Sequence, residues 1–314
     1  MIFKDDGDLN NVRKPGVVLE SVMPDSAEVK MDQHKSEIVV CGYNKNTNTA
    51  VPVGKATRLY NMLVVVGHVA DAARLYPQAL LVNAKNKNFE LEIDLNLECR
   101  NLDTDLKGYE LTEVQWSRLG IAKCSVNALM CQTSVTVSNV VGNGSHGKLI
   151  ADPTEFGRTI YDGTTKRGYS GACYYQGDVA LGMHISGGEK NAGYAMHYVA
   201  LLVRKALKIK NEDTEDFLDS IFEQDDYTFS NHPMEPENVI INSRGLYTEV
   251  SRSQFESARA RRKNAQDRYR GRDYTDGEPQ SAVVFPNAPR VTGAMPQGGV
   301  PSSGVSSSVN SQRS

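Results

Sequence analysis

Two stretches carry residues that can do chemistry together. One is Lys166-Arg167-Gly168-Tyr169-Ser170-Gly171-Ala172, the other Gly182-Met183-His184-Ile185-Ser186-Gly187-Gly188. A Gly-x-Ser-Gly turn sets a serine on a sharp bend with small neighbours. That shape suits a nucleophile whose flanking N–H groups point at a developing oxyanion. Upstream, His68 ends the apolar run Leu63-Val64-Val65-Val66-Gly67. An imidazole is suited to take the serine proton and return it to a leaving amine. A buried carboxylate is then needed to accept the other ring N–H. Asp94, Asp103 and Asp105 are the candidates. Asp105 is favoured because Leu106-Lys107-Gly108-Tyr109-Glu110-Leu111 behind it reads as a strand after a short loop, and Asp103 is the alternative.

The elements that must position these side chains read as β-structure. Short apolar runs broken by Gly, Asn, Asp and Pro recur from residue 37 to about 200: Glu37–Gly42, Arg58–Val66, Ala79–Val82, Phe89–Ile93, Val135–Val141 and Val179–Ile185. Their spacing predicts antiparallel barrels or sandwiches rather than βαβ units. His68–Tyr76 reads as a short helix. His197–Leu207 is the best helix, with Val199, Leu202, Val203 and Leu207 at helical spacing.

Composition limits what surrounds this core. At 314 residues, 39% hydrophobic and net charge -3, the chain presents no global basic field. Charge is instead segregated. Residues 212–226 hold eight acids and no bases, whereas residues 244–272 hold nine bases and three acids, so separate segments with separate partners are expected. The five cysteines (Cys41, Cys99, Cys124, Cys131, Cys173) are widely spaced and odd in number. They fit reduced thiols better than a disulfide framework. The start of the chain lacks the apolar core of a signal peptide, and the run Met62–Val66 is too short to span a bilayer.

The order His, Asp, Ser is that of chymotrypsin-like proteases. Over residues 37–207 the chain resembles the serine protease of sobemovirus and sobemo-like RNA virus polyproteins. The motifs carrying the likeness are Gly67-His68-Val69, Asp105 with Trp116-Ser117-Arg118-Leu119-Gly120, Thr165 to Gly171, and Gly182-Met183-His184. The usual pattern has Ala where Gly67 stands. The resemblance implies an all-β, chymotrypsin-like double β-barrel with a C-terminal helix and a disordered basic C-terminal tail. It implies a His68, Asp105, Ser170 triad with Gly168 and Ser170 N–H groups as the oxyanion hole. Thr165, His184 and Asn191 would read a glutamate side chain at P1, since a hydroxyl, an imidazole and an amide supply donors without a fixed charge. No cofactor or metal is expected.

The expected organisation is a polar arm over 1–36, a protease domain over 37–210 and an acidic linker or helix over 211–237. A basic segment follows over 238–280, read as a linker or as similar to the small protein (VPg) joined to the genome's 5′ end in related viruses. Residues 281–314 read as a disordered tail. Tyr247, Tyr269 and Tyr274 are the hydroxyl candidates for nucleotide attachment. Glu237-Asn238, Glu249-Val250 and Glu256-Ser257 are candidate cleavage points in what reads as an exposed linker. The expected partners are a polyprotein substrate and, through the basic tail, viral RNA or polymerase, in the host cell cytoplasm. The competing expectation is an RNA-binding or structural viral protein on an inactive barrel.

Overall fold

Among the described residues the chain forms nineteen strands and four helices. The computed structural model describes residues 2–3, 21–96, 99–188, 190–209, 218, 221–222 and 226–272, with side chains through residue 264. In the first sheet are β1 (Ile2–Phe3), β3 (Glu37–Asn44), β4 (Thr49–Leu59), β5 (Met62–Val66), β6 (Gln78–Asn83), β7 (Glu90–Ile93), β8 (Arg100–Asp103) and β9 (Leu106–Glu110). Its order is β7-β6-β3-β4-β5-β9-β8, with β1 beside β4. The predicted single run Arg58–Val66 is a hairpin: Tyr60 takes a left-handed φ of 55° and turns β4 into β5. Helix α1 (Gly67–Ala73) follows β5 directly.

Helix α2 (Glu113–Leu119) leads out of this sheet. Thr112 and Gln115 form a reciprocal capping box, and Gly120 closes the helix in the left-handed region at φ 60°. Trp116 is fully buried, with the Arg58 guanidinium 4.6 Å from the ring centroid.

The second sheet holds β2 (Val29–Lys30), β10 (Ser125–Val126), β11 (Thr133–Ser138), β12 (Asn143–Ala151), β13 (Arg158–Tyr161), β14 (Cys173–Gln176), β15 (Val179–Ser186) and β16 (Asn191–Ala195). Six of its strands run β15-β14-β11-β12-β13-β16, and β16 pairs back onto β15, so the barrel closes and these strands present no edge. Helix α3 (Met196–Ala206) leaves β16 and packs Val199, Leu202 and Val203 into the main core. All five cysteines are free thiols. Among the described residues no helix is long and apolar enough to cross a membrane.

Two expectations about the chain ends need correction. The polar arm over 1–36 is not separate from the fold: within it β2 pairs with Asn143–Gly144 of the second sheet. The segment over 238–280 is not a plain linker. β17 (Thr228–Asn231), β18 (Asn238–Ser243) and β19 (Leu246–Ser251) make a three-stranded meander, followed by α4 (Arg252–Arg272). Val239, Ile241, Val250 and Phe255 form a cluster with Leu218, Ile221 and Phe222, while Ile240 and Tyr247 join the main core. Burial of those six apolar side chains overrides the charged composition around them. Glu249 therefore sits inside a strand and Glu256 inside a helix, not in an extended linker. Tyr247 is packed against Tyr198 and Phe156, not presented to a nucleotide. Most of residues 211–225, Tyr274, the Tyr269 side chain and the tail over 281–314 lie outside the described residues.

Candidate active site

Strand register brings His68 to Asp105. β5 and β9 pair antiparallel with Val66 opposite Leu106, so the residues just beyond β5 meet those just before β9. The ladder extends one step further, with Gly67 N–H donating to Asp105 O at 3.0 Å. The Asp105 carboxylate then accepts twice. His68 N–H donates to Oδ1 at 2.9 Å, and the His68 ring meets Oδ2 through Nδ1 at 2.8 Å. Two bonds to one carboxylate fix both the ring's orientation and the nitrogen facing the acid. This approach also accounts for Gly67. A Cβ there would lie 2.5 Å from Asp105 Oδ1, closer than real Cβ contacts come, so the alanine of the resembling pattern does not fit.

The other two acids face elsewhere. Asp103 Oδ2 accepts the Tyr198 hydroxyl at 3.0 Å, and its Oδ1 accepts Thr104 N–H. Burial beside Asp103 pushes the Tyr198 hydroxyl pKa far up, which keeps it a donor. Asp94 caps its own turn through Asn96 N–H.

Ser170 lies in the loop that enters β14. Gly168 and Gly171 hold φ values of +94° and +82°, in the region that favours glycine. The loop is tied to β15, with Gly171 N–H donating to His184 O at 2.9 Å and His184 N–H to Ala172 O at 2.8 Å. The two glycine-rich stretches thus run side by side. The loop is also tied to the first sheet, where Lys55 N–H donates to Ser170 O at 2.8 Å. At Gly54 the halves of the site converge. A Cβ on Gly54 would lie 2.6 Å from Val69, next to His68, and 2.9 Å from Ser170 O. Glycine at 54 leaves the room that α1 and the serine loop share.

Behind the serine loop is a buried ion pair that sequence reasoning misses. Lys55 Nζ lies 2.7 Å from Glu37 Oε2 and donates to Ser138 Oγ at 2.9 Å. Glu37 Oε1 accepts Cys173 N–H at 3.1 Å. Both charged side chains are 0% exposed. Desolvation lowers the Lys55 pKa, opposed by the charge and hydrogen bond of Glu37. Glu37 and Lys55 belong to the first sheet, Ser138 and Cys173 to the closed barrel, so the pair pins the two together three residues after Ser170.

Thr165, His184 and Asn191 are all fully buried. Thr165 Oγ1 donates to Asn191 Oδ1 at 2.6 Å. His184 Nδ1 shares a 2.7 Å hydrogen bond with the Tyr174 hydroxyl, and His184 stands opposite Gly193, two residues along β16 from Asn191. Among the described residues no group of three His, Cys, Asp or Glu side chains is placed to hold a metal ion.

No family model and no curated protein matches the chain. Solved structures do. The serine protease domain of the Sesbania mosaic virus polyprotein is 20% identical, over 56% of this chain and 96% of its own, with a TM-score of 0.45. A chain from a study of coupled folding and binding by the intrinsically disordered Sesbania mosaic virus VPg is 19% identical, over 56% and 93%, with a TM-score of 0.44. The serine protease of a human pathogenic astrovirus is 13% identical, over 53% and 92%, with a TM-score of 0.37. In this chain His68 and Asp105 lie at the ends of neighbouring strands of the first sheet, and the Ser170 loop enters the closed six-stranded barrel.

Proposed function

We propose that the chain is a viral serine endopeptidase that processes a polyprotein. The observation that carries this reading is the Asp105 carboxylate holding His68 through two hydrogen bonds, beside the Gly54 gap where the Ser170 loop arrives. His68 takes the Ser170 hydroxyl proton as the oxygen attacks the scissile carbonyl. Asp105 stabilises the imidazolium that results. The N–H groups of Gly168 and Ser170 receive the oxyanion, and the positive φ of Gly168 supports that backbone shape. His68 then protonates the leaving amine, and water releases the acyl group by the same steps in reverse. In this reading the pocket built from Thr165, His184 and Asn191 selects glutamate at P1, with Asn191 holding Thr165 in place. The substrate is a polyprotein in the host cytoplasm, and the basic residues of α4 and beyond meet viral RNA or polymerase.

Mass spectrometry of the purified wild type beside Ser170→Ala, mapping new termini in a polyprotein substrate, tests the assignment. Cleavage by the wild type alone, with glutamate at the released C-termini, is expected. Cleavage that persists in Ser170→Ala removes the nucleophile, and a different terminal residue removes the glutamate pocket.

A further inference from the structure

The polar segment ahead of β3 lies along the loop that forms the pocket and leads to the serine. Ser21 O accepts Thr165 N–H at 3.0 Å, and Ser21 N–H donates to Asn191 Oδ1 at 3.2 Å. Gly188 N–H donates to Ser21 Oγ at 2.9 Å. Two residues on, Thr164 Oγ1 accepts Met23 N–H at 2.8 Å and donates to Met23 O. Thr164 N–H donates to Ser26 Oγ at 2.9 Å. Glu28 reaches the serine loop itself, accepting the Tyr169 hydroxyl at 2.8 Å and pairing with Lys166. The segment is then fastened by β2 and by Met31 N–H donating to Gly142 O.

Asn191 is the hub of this contact. Its Nδ2 donates to Ser21 O and to Gly163 O, and its Oδ1 accepts Ser21 N–H and the Thr165 hydroxyl. An asparagine amide has two N–H donors and one oxygen with two acceptor sites. All four are used within the protein, and so is the Thr165 hydroxyl proton.

We propose that residues 21–28 are a built-in wall of the specificity pocket. Ser21 fixes Thr165 through Asn191, and Glu28 holds the serine loop through Lys166 and Tyr169. Asn191 is then a positioning residue whose partner is this strap, not the substrate side chain. The proposal rests on the protease reading above and adds the element that sets its selectivity.

The test uses the full chain as wild type, Ser21→Pro, Ser21→Ala and Glu28→Gln. Three measurements are made: P1 selectivity on a peptide library, labelling of Ser170 by a small fluorophosphonate that has no P1 side chain, and hydrogen exchange at Thr164 and Thr165. Ser21→Pro removes the N–H that Asn191 holds. It is expected to lower the ratio of kcat/KM between the preferred and the next P1 residue about tenfold, mostly through KM, the size of one or two lost buried hydrogen bonds. Exchange at Thr165 should accelerate with it. Ser21→Ala keeps both backbone bonds and should retain the ratio to within about threefold. Glu28→Gln should slow fluorophosphonate labelling while keeping the P1 ratio, because it acts on the serine loop alone. A folded Ser21→Pro variant with the wild-type ratio and wild-type protection overturns the proposal, as does an equal loss in Ser21→Ala. If Ser21→Pro does not fold, a Glu28→Gln variant that labels at the wild-type rate overturns the clamp. A wild type that fails to label at Ser170 instead refutes the protease reading, while the exchange data still report on the strap.

Discussion

Replacing Glu37 with glutamine isolates the physics of the buried pair behind the serine loop. Lys55 and Glu37 are both fully buried at 2.7 Å, and each makes a further bond into the second barrel. Removing one charge leaves the other desolvated and unpaired, a change that costs about 3–5 kcal/mol in proteins. With a urea m-value of about 2–3 kcal/mol/M for a chain of this size, the unfolding midpoint should fall by about 1–2 M. The pH dependence has a definite sign. Burial already lowers the Lys55 pKa below 10.5, and loss of Glu37 removes the partner that opposes this. The unfolded chain then binds the extra proton between the folded pKa and 10.5, so the variant should regain stability as pH rises through that window. The double variant Glu37→Leu with Lys55→Met replaces the pair by apolar groups and should recover most of the loss. Activity should not recover with it, because Cys173 N–H loses its acceptor just after the serine loop. Urea unfolding of the wild type, Glu37→Gln and the double variant is the assay. A single variant that costs under about 1 kcal/mol, or a double variant as unstable as the single, would refute the reasoning.

Asp105→Asn should lower kcat/KM by about 10⁴-fold, because the amide no longer holds the required tautomer of His68. Asp103→Asn, acting on Tyr198 and Thr104, should stay within about tenfold, and peptide hydrolysis by the two variants separates them. Gly67→Ala drives a Cβ to within 2.5 Å of Asp105 Oδ1 and should cost about 10²-fold in kcat through a misplaced carboxylate; full activity would contradict the geometry. His197 accepts Tyr247 N–H at 3.0 Å on Nδ1, and burial, then Arg204, lowers its pKa below 6.5. The neutral form is favoured by folding, so its contribution is complete above about pH 6.5 and is lost as pH falls through the folded value. His197→Asn, whose side-chain oxygen is also an acceptor, should flatten that acid loss when urea unfolding is compared at pH 7.5 and pH 5.

The legible parts of the sequence are those that leave a local signature. Gly168 and Gly171 surround Ser170 because the backbone there has positive φ, and that need appears directly in the letters. His68 ends an apolar run because β5 ends there. The choice between Asp103 and Asp105 has no such signature. It is set by the Val66–Leu106 register and by Tyr198, 95 residues away. Lys55 and Glu37 read as ordinary strand charges, since they meet across neighbouring strands and their further partners, Ser138 and Cys173, lie on the other sheet. The strap at Ser21 works through backbone groups and small hydroxyls, which carry no hydrophobic period. The third sheet is hidden differently: Val239-Ile240-Ile241 is a short apolar run in a charged region, and only its contacts with Tyr198, Phe222 and Phe255 reveal a folded unit.

Tyr247 stands edge-on to Phe156 and Tyr198, Ile240 joins the same core, and Lys205 bridges Glu235 and Glu249 at 2.9 and 2.8 Å. Scission after Glu237 or Glu249 would therefore pull a strand out of the folded unit. Both fragments would carry raw greasy surface and a tendency to clump. On the proposed protease reading, cleavage that spares residues 226–264 would leave the meander as part of the working protein rather than a cargo it sheds.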